Sequence, residues 1–110
     1  MTSDIVSEKN EHILSVDEIS QIVNNVASRY DIKKVVLYGS YARETATDVS
    51  DVDLLVFGGE TLSSSDFFAF CGRLYKISNK FKDIFDFESL KPDSIWVTEI
   101  EKEGITIYGH

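Results

Sequence analysis

The sequence predicts an α/β protein with a small mixed β-sheet flanked by helices. Four short runs rich in β-branched and aromatic residues are spaced along the chain, and three other segments carry apolar residues at helical spacing. The chain has 110 residues, of which 43% are hydrophobic and seven are Phe. That length is close to the usual size of one domain, and the composition can supply a core.

The elements are predicted to follow one another as helix, strand, strand, helix, strand, helix and strand. The predicted helices lie at 16–29, 65–79 and 93–103, and the predicted strands lie at 34–38, 52–57, 82–87 and 105–108. Residues 1–13 are polar and show no periodicity. They are therefore expected to be a flexible N-terminal segment, followed by a single domain over residues 14–110.

Local signals support the first three elements. Ser15 and Glu18 form a capping box, after which apolar residues recur at helical spacing. The first strand is a β-branched run bounded by polar residues, and the second ends at the Gly58-Gly59 pair, which breaks regular structure. Between these strands, residues 40–44 should form a helical turn.

The second half of the chain carries equally local signals. A hydroxyl-rich loop at 61–65 should cap the second helix, whose apolar stripe continues to Ser78. Cys71 lies in that stripe and is expected to be a small core residue. The third strand is aromatic and β-branched. Pro92 fits the first turn of the last helix, and Gly104 fits the residue just past its end.

The most informative stretch joins the first two strands. Gly39-Ser40 follows the first apolar run, and Asp51 and Asp53 open the second. Because side chains on a strand alternate, these two carboxylates should lie on the same side, as a hard divalent cation such as Mg²⁺ requires. Gly39 permits close approach of a phosphate, and the N–H groups that open the next turn favour an anion. The alternative is a polar turn with both carboxylates exposed.

The runs Gly-Ser-Tyr-Ala-Arg at 39–43 and Ser-Asp-Val-Asp-Leu at 50–54 resemble the minimal nucleotidyltransferases (MNT) of the DNA polymerase β superfamily. The resemblance extends over nearly all of the chain after the N-terminal segment. It implies a Mg²⁺-dependent transferase that moves AMP from ATP to a hydroxyl. The residues that it assigns are Asp51 and Asp53 for catalysis and metal binding, and Gly39, Ser40 and Arg43 for nucleotide binding.

The resemblance also implies a third carboxylate, which family members carry on the strand beside the Asp-x-Asp strand. Asp83 and Asp86 are the candidates, and their spacing makes them face opposite sides of a regular strand. The family pattern favours Asp83 as the catalytic and metal-binding residue. Lys82 stands where the family usually has an apolar residue, which leaves Asp86 open. For Arg43, a surface ion pair with a neighbouring carboxylate is the alternative to phosphate binding.

Charge and size narrow the expected partners. The formal net charge is -8, which makes a nucleic-acid partner unlikely because such partners require a basic surface. The chain shows no signal peptide and no run of about 18 apolar residues, so a cytoplasmic protein without a membrane partner is expected. The second helix carries more apolar side chains than one face of a small sheet needs, which predicts a protein interface, and the alternative is a helix buried under the sheet. Those side chains are Phe67, Phe68, Phe70 and Tyr75.

Many small relatives with this architecture are antitoxins that pair with a HEPN toxin and add AMP to a tyrosine on it. The resemblance therefore implies a protein-adenylylating antitoxin. The alternatives are transfer of a nucleotide to a small molecule or an RNA end, and a non-catalytic antitoxin that neutralises its partner by binding alone.

Overall fold

A computed structural model of the protein describes residues 13–89 and 95–109. The helices are α1 (Val16–Ala27), α2 (Ser64–Ile77) and α3 (Ile95–Glu103). The strands are β1 (Ile32–Tyr38), β2 (Asp53–Gly58), β3 (Asp83–Asp86) and β4 (Ile105–Gly109), and a 3₁₀ turn over Phe87–Ser89 follows β3. The predicted α/β class and element order are confirmed. The expected N-terminal segment, Pro92 and the predicted start of the last helix lie outside the described residues.

The four strands form one mixed sheet in the order β3-β2-β1-β4. β1 pairs antiparallel with both β2 and β4, whereas β2 and β3 are parallel. A parallel pair requires a crossover connection, which α2 supplies. The register sets Asp53 opposite Tyr38 on one side and opposite Asp83 on the other. These three residues therefore form a row across one end of the sheet.

Each face of the sheet has its own apolar cluster. Residues of α1 and α2 pack with Leu54 and Val56 of β2, while Ile100 of α3 packs with Leu55 on the opposite face. Because successive strand residues alternate, Asp53 shares the α3 face with Leu55. Asp83 shares that face too, since it lies opposite Asp53 in the register.

The first helix begins at the capping box that the sequence predicts, and the second begins at Ser64, one residue before the predicted start, after a cap from the predicted hydroxyl-rich loop. The Ser15 hydroxyl accepts a hydrogen bond from the Glu18 N–H at 3.0 Å, and the Glu18 carboxylate accepts one from the Ser15 N–H at 2.9 Å. Ser63 and Asp66 form the same arrangement before α2. α1 ends earlier than predicted because the N–H groups of residues 29 and 30 bond to the carbonyls of residues 26 and 27, which tightens the last turn.

The second helix exposes only some of the aromatic side chains from which the sequence predicts an interface. Phe70 is fully buried in the core and Phe67 packs partly against it, whereas Phe68 is 70% exposed and Tyr75 is 52% exposed. Cys71 is partly buried and packs against the core. Burial, together with the charge of Asp86, raises the pKa of its thiol to about 11. Across the two described ranges, every helix is too short or too polar to cross a membrane.

Candidate active site

The predicted site residues meet where β1 ends and where β2 and β3 begin. Gly39 follows the last residue of β1, and Asp53 and Asp83 are the first residues of their strands. Asp51 precedes β2 rather than lying in it, but its charge still acts on Asp53. The fold thus gathers three carboxylates, from two strands and one loop, beside the turn that begins at Gly39.

Asp53 lies at the centre of this acidic cluster. Burial raises the pKa of its carboxyl to about 6, and the charge of Asp83, a hydrogen bond with Asp83 and the charge of Asp51 act in the same direction. Arg43 opposes the shift. The raised pKa of Asp53 therefore reflects burial first and then negative charge that Arg43 only partly offsets, while Lys82 Nζ lies 3.9 Å from Asp51 Oδ1.

The donor set suits a hard cation only together with a substrate. Within residues 13–89 and 95–109, no group of three His, Cys, Asp or Glu side chains is already arranged to hold a metal ion. Mg²⁺ is usually held by one or two carboxylates while substrate phosphates and water complete its shell. Asp51 and Asp53 fit that requirement, and a bound cation would neutralise the repulsion that raises the pKa of Asp53.

Asp83 and Asp86, the two candidates for the third carboxylate, lie in different surroundings. Asp83 hydrogen-bonds with Asp53 and faces the same side of the sheet. Asp86 faces the α2 side, where its charge acts on Cys71, and its Oδ1 accepts a hydrogen bond from the Glu88 N–H at 3.1 Å. The structure therefore brings Asp83 into the acidic cluster and leaves Asp86 as a cap of the 3₁₀ turn.

Gly39 lies directly against the central carboxylate. Its φ is +77°, and a Cβ added there would contact the Asp53 carboxylate, with Asp53 Cγ at 3.0 Å. The chain then makes the predicted helical turn, in which the Arg43 N–H donates to the Gly39 carbonyl at 3.1 Å. A glycine is needed here for two reasons, the left-handed backbone and the close approach to Asp53. The sequence predicts close approach to backbone or phosphate at Gly39, but it does not identify Asp53 as the group that the glycine approaches.

Arg43 faces a small cavity beside the acidic cluster. The side chain is exposed, and in the described part of the chain it forms no ion pair with a neighbouring carboxylate. The cavity has a volume of about 150 Å³, and it is lined by Tyr38, Gly39, Arg43, Glu99, Ile100 and Glu103. Burial and the charges of Asp53 and Asp83 raise the pKa of the Tyr38 hydroxyl.

Sequence reasoning missed Tyr38, Glu99 and Glu103 at this cavity. Tyr38 was assigned only to a strand, and the two glutamates lie on the exposed side of a helix about sixty residues further along the chain. No local pattern marks them, because α3 reaches the site only through its packing on the sheet.

Known proteins resemble this chain in sequence. The family model "Polymerase beta, Nucleotidyltransferase" matches residues 20–110. MJ0435 of Methanocaldococcus jannaschii, which carries the provisional name protein adenylyltransferase, is 28% identical over 79 residues. That match covers 72% of this chain and 85% of the relative.

Solved structures resemble the chain in fold. One is a chain from a crystal structure of a toxin–antitoxin with AMP-PNP, with a TM-score of 0.62, 19% identity, and coverage of 88% of this chain and 75% of that chain. Another comes from a complex of a tri-AMPylated Shewanella oneidensis HEPN toxin with an MNT antitoxin. There the TM-score is 0.53 at 16% identity, and coverage is 86% of this chain and 70% of that chain. At these identities the likeness shows a shared fold.

Proposed function

The chain belongs to the polymerase β nucleotidyltransferase family, and from that premise we propose that it transfers AMP from ATP to a hydroxyl of a protein partner. The observation that carries the proposal is the cluster of Asp51, Asp53 and Asp83 beside the turn at Gly39. Carboxylates gathered at one site would hold Mg²⁺ when the phosphates of a nucleotide complete its shell.

The site residues would have separate roles in binding the metal ion and the nucleotide. Asp51 and Asp53 would hold Mg²⁺, with help from Asp83, and the ion would neutralise charge on the phosphates. Gly39 and Ser40 bind the triphosphate through backbone N–H groups and the Ser40 hydroxyl. Arg43, which faces the adjoining cavity, donates to phosphate oxygens.

The transfer itself is a displacement at the α-phosphorus. The attacking hydroxyl oxygen forms the new bond to phosphorus, the bond to the β-phosphate bridging oxygen breaks, and pyrophosphate leaves. Asp83 accepts the proton of the attacking hydroxyl, because its carboxylate lies beside Asp53 at the start of the edge strand.

We infer that the acceptor is a tyrosine on a HEPN-type toxin, which would make the protein an antitoxin. The net charge of -8 disfavours nucleic acid as the acceptor. Phe68 and Tyr75 give α2 exposed aromatic surface suited to a protein contact. A relative carries the name of a protein adenylyltransferase, and a structure of the same fold contains an AMPylated HEPN toxin.

Co-expression with the product of the neighbouring gene tests this acceptor. Mass spectrometry of the purified partner is expected to show AMP on a tyrosine, and the modification should be lost when the Asp53→Asn variant is co-expressed. An unmodified partner, together with efficient transfer to a small molecule or an RNA end, would contradict the proposal. Full neutralisation of the toxin by the Asp53→Asn variant would instead favour an antitoxin that acts by binding alone.

A further inference from the structure

A buried lysine lies in the connection between α2 and β3. Lys80 is only 4% exposed, although lysine is almost never buried unless its charge is paired. Its Nζ donates a hydrogen bond to the Asp48 carbonyl at 2.5 Å, and in the described part of the chain it forms no ion pair. Burying an ammonium group costs folding free energy, so this contact needs an explanation beyond filling space.

The backbone of Lys80 holds the same loop at a second point. Its carbonyl oxygen accepts a hydrogen bond from the Val52 N–H at 2.7 Å. Val52 is fully buried, which fixes that end of the loop in the core. The side chain of Lys80 thus contacts the chain before Asp51, and its backbone contacts the chain directly after it.

The part of the loop that the side chain holds is itself closed. The Ser50 N–H donates to the Thr47 carbonyl at 3.1 Å, and the Thr47 N–H donates to the Ser50 hydroxyl at 2.9 Å. Asp48 lies inside this four-residue turn. A hydrogen bond to the Asp48 carbonyl therefore fixes the whole turn, including Ser50, the residue directly before Asp51.

Lys80 is also tied to the core at its own end. Its N–H donates to the Ser78 hydroxyl at 3.3 Å, and the Ser78 N–H donates to the carbonyl of Leu74 at 3.0 Å in the last turn of α2. Leu74 is fully buried. The loop before β2 is therefore attached to the packed end of α2.

We propose that Lys80 is a positioning residue for Asp51. It holds the 47–52 loop in place before any ligand binds. The Asp51 carboxylate is therefore already ordered when a divalent cation arrives. This inference rests on the proposed metal role of Asp51 and Asp53 and adds the residue that fixes one of them. Residues that support metal ligands in this way commonly change metal affinity when they are replaced.

The Lys80→Met variant tests the inference, because methionine retains much of the side-chain length but removes the ammonium donor. Mn²⁺ binding to the protein together with a non-hydrolysable ATP analogue, followed by electron paramagnetic resonance, is expected to weaken by about 10-fold to 100-fold. Hydrogen exchange of residues 47–52 should accelerate while exchange of β1 stays slow. Lys76→Met is the matched control: Lys76 is exposed on α2, and its Mn²⁺ affinity should stay within about twofold of the wild-type value.

Wild-type Mn²⁺ affinity in a folded Lys80→Met protein would overturn the inference, even if the loop exchanged faster, because Lys80 would then be merely structural. If that variant does not fold, exchange in the metal-free wild-type protein decides. Protection of residues 47–52 comparable to that of β2 supports the inference, and exchange at the rate of an open loop contradicts it. If the wild-type protein binds no Mn²⁺ even with the ATP analogue, the proposed metal site fails as well, which distinguishes that failure from a failure of Lys80 alone.

Discussion

Replacing Asp53 with Asn is expected to reduce nucleotide transfer by more than about a hundredfold, beyond the loss typical for residues that only support metal ligands. The amide keeps the shape of the side chain but removes the charge that a hard cation prefers. Asp53 is also the one carboxylate on which both Asp51 and Asp83 act. A transfer assay with labelled ATP measures the loss, and wild-type activity in this variant would show that the metal assignment is wrong.

The same variant should be at least as stable as the wild-type protein when no metal is present. Folding raises the pKa of Asp53 from 3.8 to about 6, so the folded state disfavours its ionised form. The resulting destabilisation is absent below the lower pKa, grows between the two values and is complete above the upper one. Asn removes it. Thermal denaturation should therefore show a melting temperature at pH 7 that equals or exceeds that of the wild-type protein, and the difference should narrow towards pH 4.5.

A lower melting temperature for Asp53→Asn at pH 7 would contradict this account, since lost activity could then follow from lost structure. Far-ultraviolet circular dichroism of both proteins provides the control for the fold. The Lys76→Met protein provides a second control, because it changes one charge on the surface away from the acidic cluster.

Gly39→Ala is expected to weaken ATP and Mn²⁺ binding by more than about tenfold, the range seen when a metal ligand loses its supporting contact. The new methyl group would contact the Asp53 carboxylate and force it to move. Alanine at a φ of +77° also costs about 1–2 kcal/mol of stability. Gly39→Val adds a branched side chain and should be more severe. Isothermal titration with ATP in the presence of Mg²⁺ measures the effect.

Gly72→Ala is the matched control for this substitution. A Cβ at Gly72 meets nothing within 4 Å, and the residue lies inside α2. Alanine there is expected to leave ATP affinity unchanged and to raise stability by up to about 1 kcal/mol, because glycine is a poor helix former. Unchanged ATP affinity in a folded Gly39→Ala protein would show that the turn does not bind the triphosphate.

Much of the fold was predictable because its signals are local. Ser15 and Glu18 mark the start of α1 through contacts three residues apart, and the capping box of α2 works in the same way. Which of Asp83 and Asp86 joins the acidic cluster cannot be read from neighbouring residues in the sequence. It depends on the register of β3 against β2, which the crossover through α2 sets. Alternation assigns each carboxylate to a face only once that register is known.

The aromatic residues of α2 show a second limit of sequence reasoning. Phe67, Phe68 and Phe70 are close in the chain, and the apolar stripe alone does not define which of them the sheet covers. Only packing does so, and it buries Phe70 while leaving Phe68 exposed. Lys80 gave no signal at all, because lysine is ordinarily a surface residue and its partner Asp48 lies 32 positions away.

The short edge strand β3 has a consequence for solubility. In the described ranges, β3 is an edge strand of the sheet and pairs only with β2, and an edge strand is the usual place for a strand of another molecule to add. The strand has four residues and carries a carboxylate at each end, Asp83 and Asp86. A second copy aligned along this edge would bring like charges together, which opposes the pairing. The acidic residues of β3 thus oppose aggregation of neighbouring molecules along this edge of the sheet.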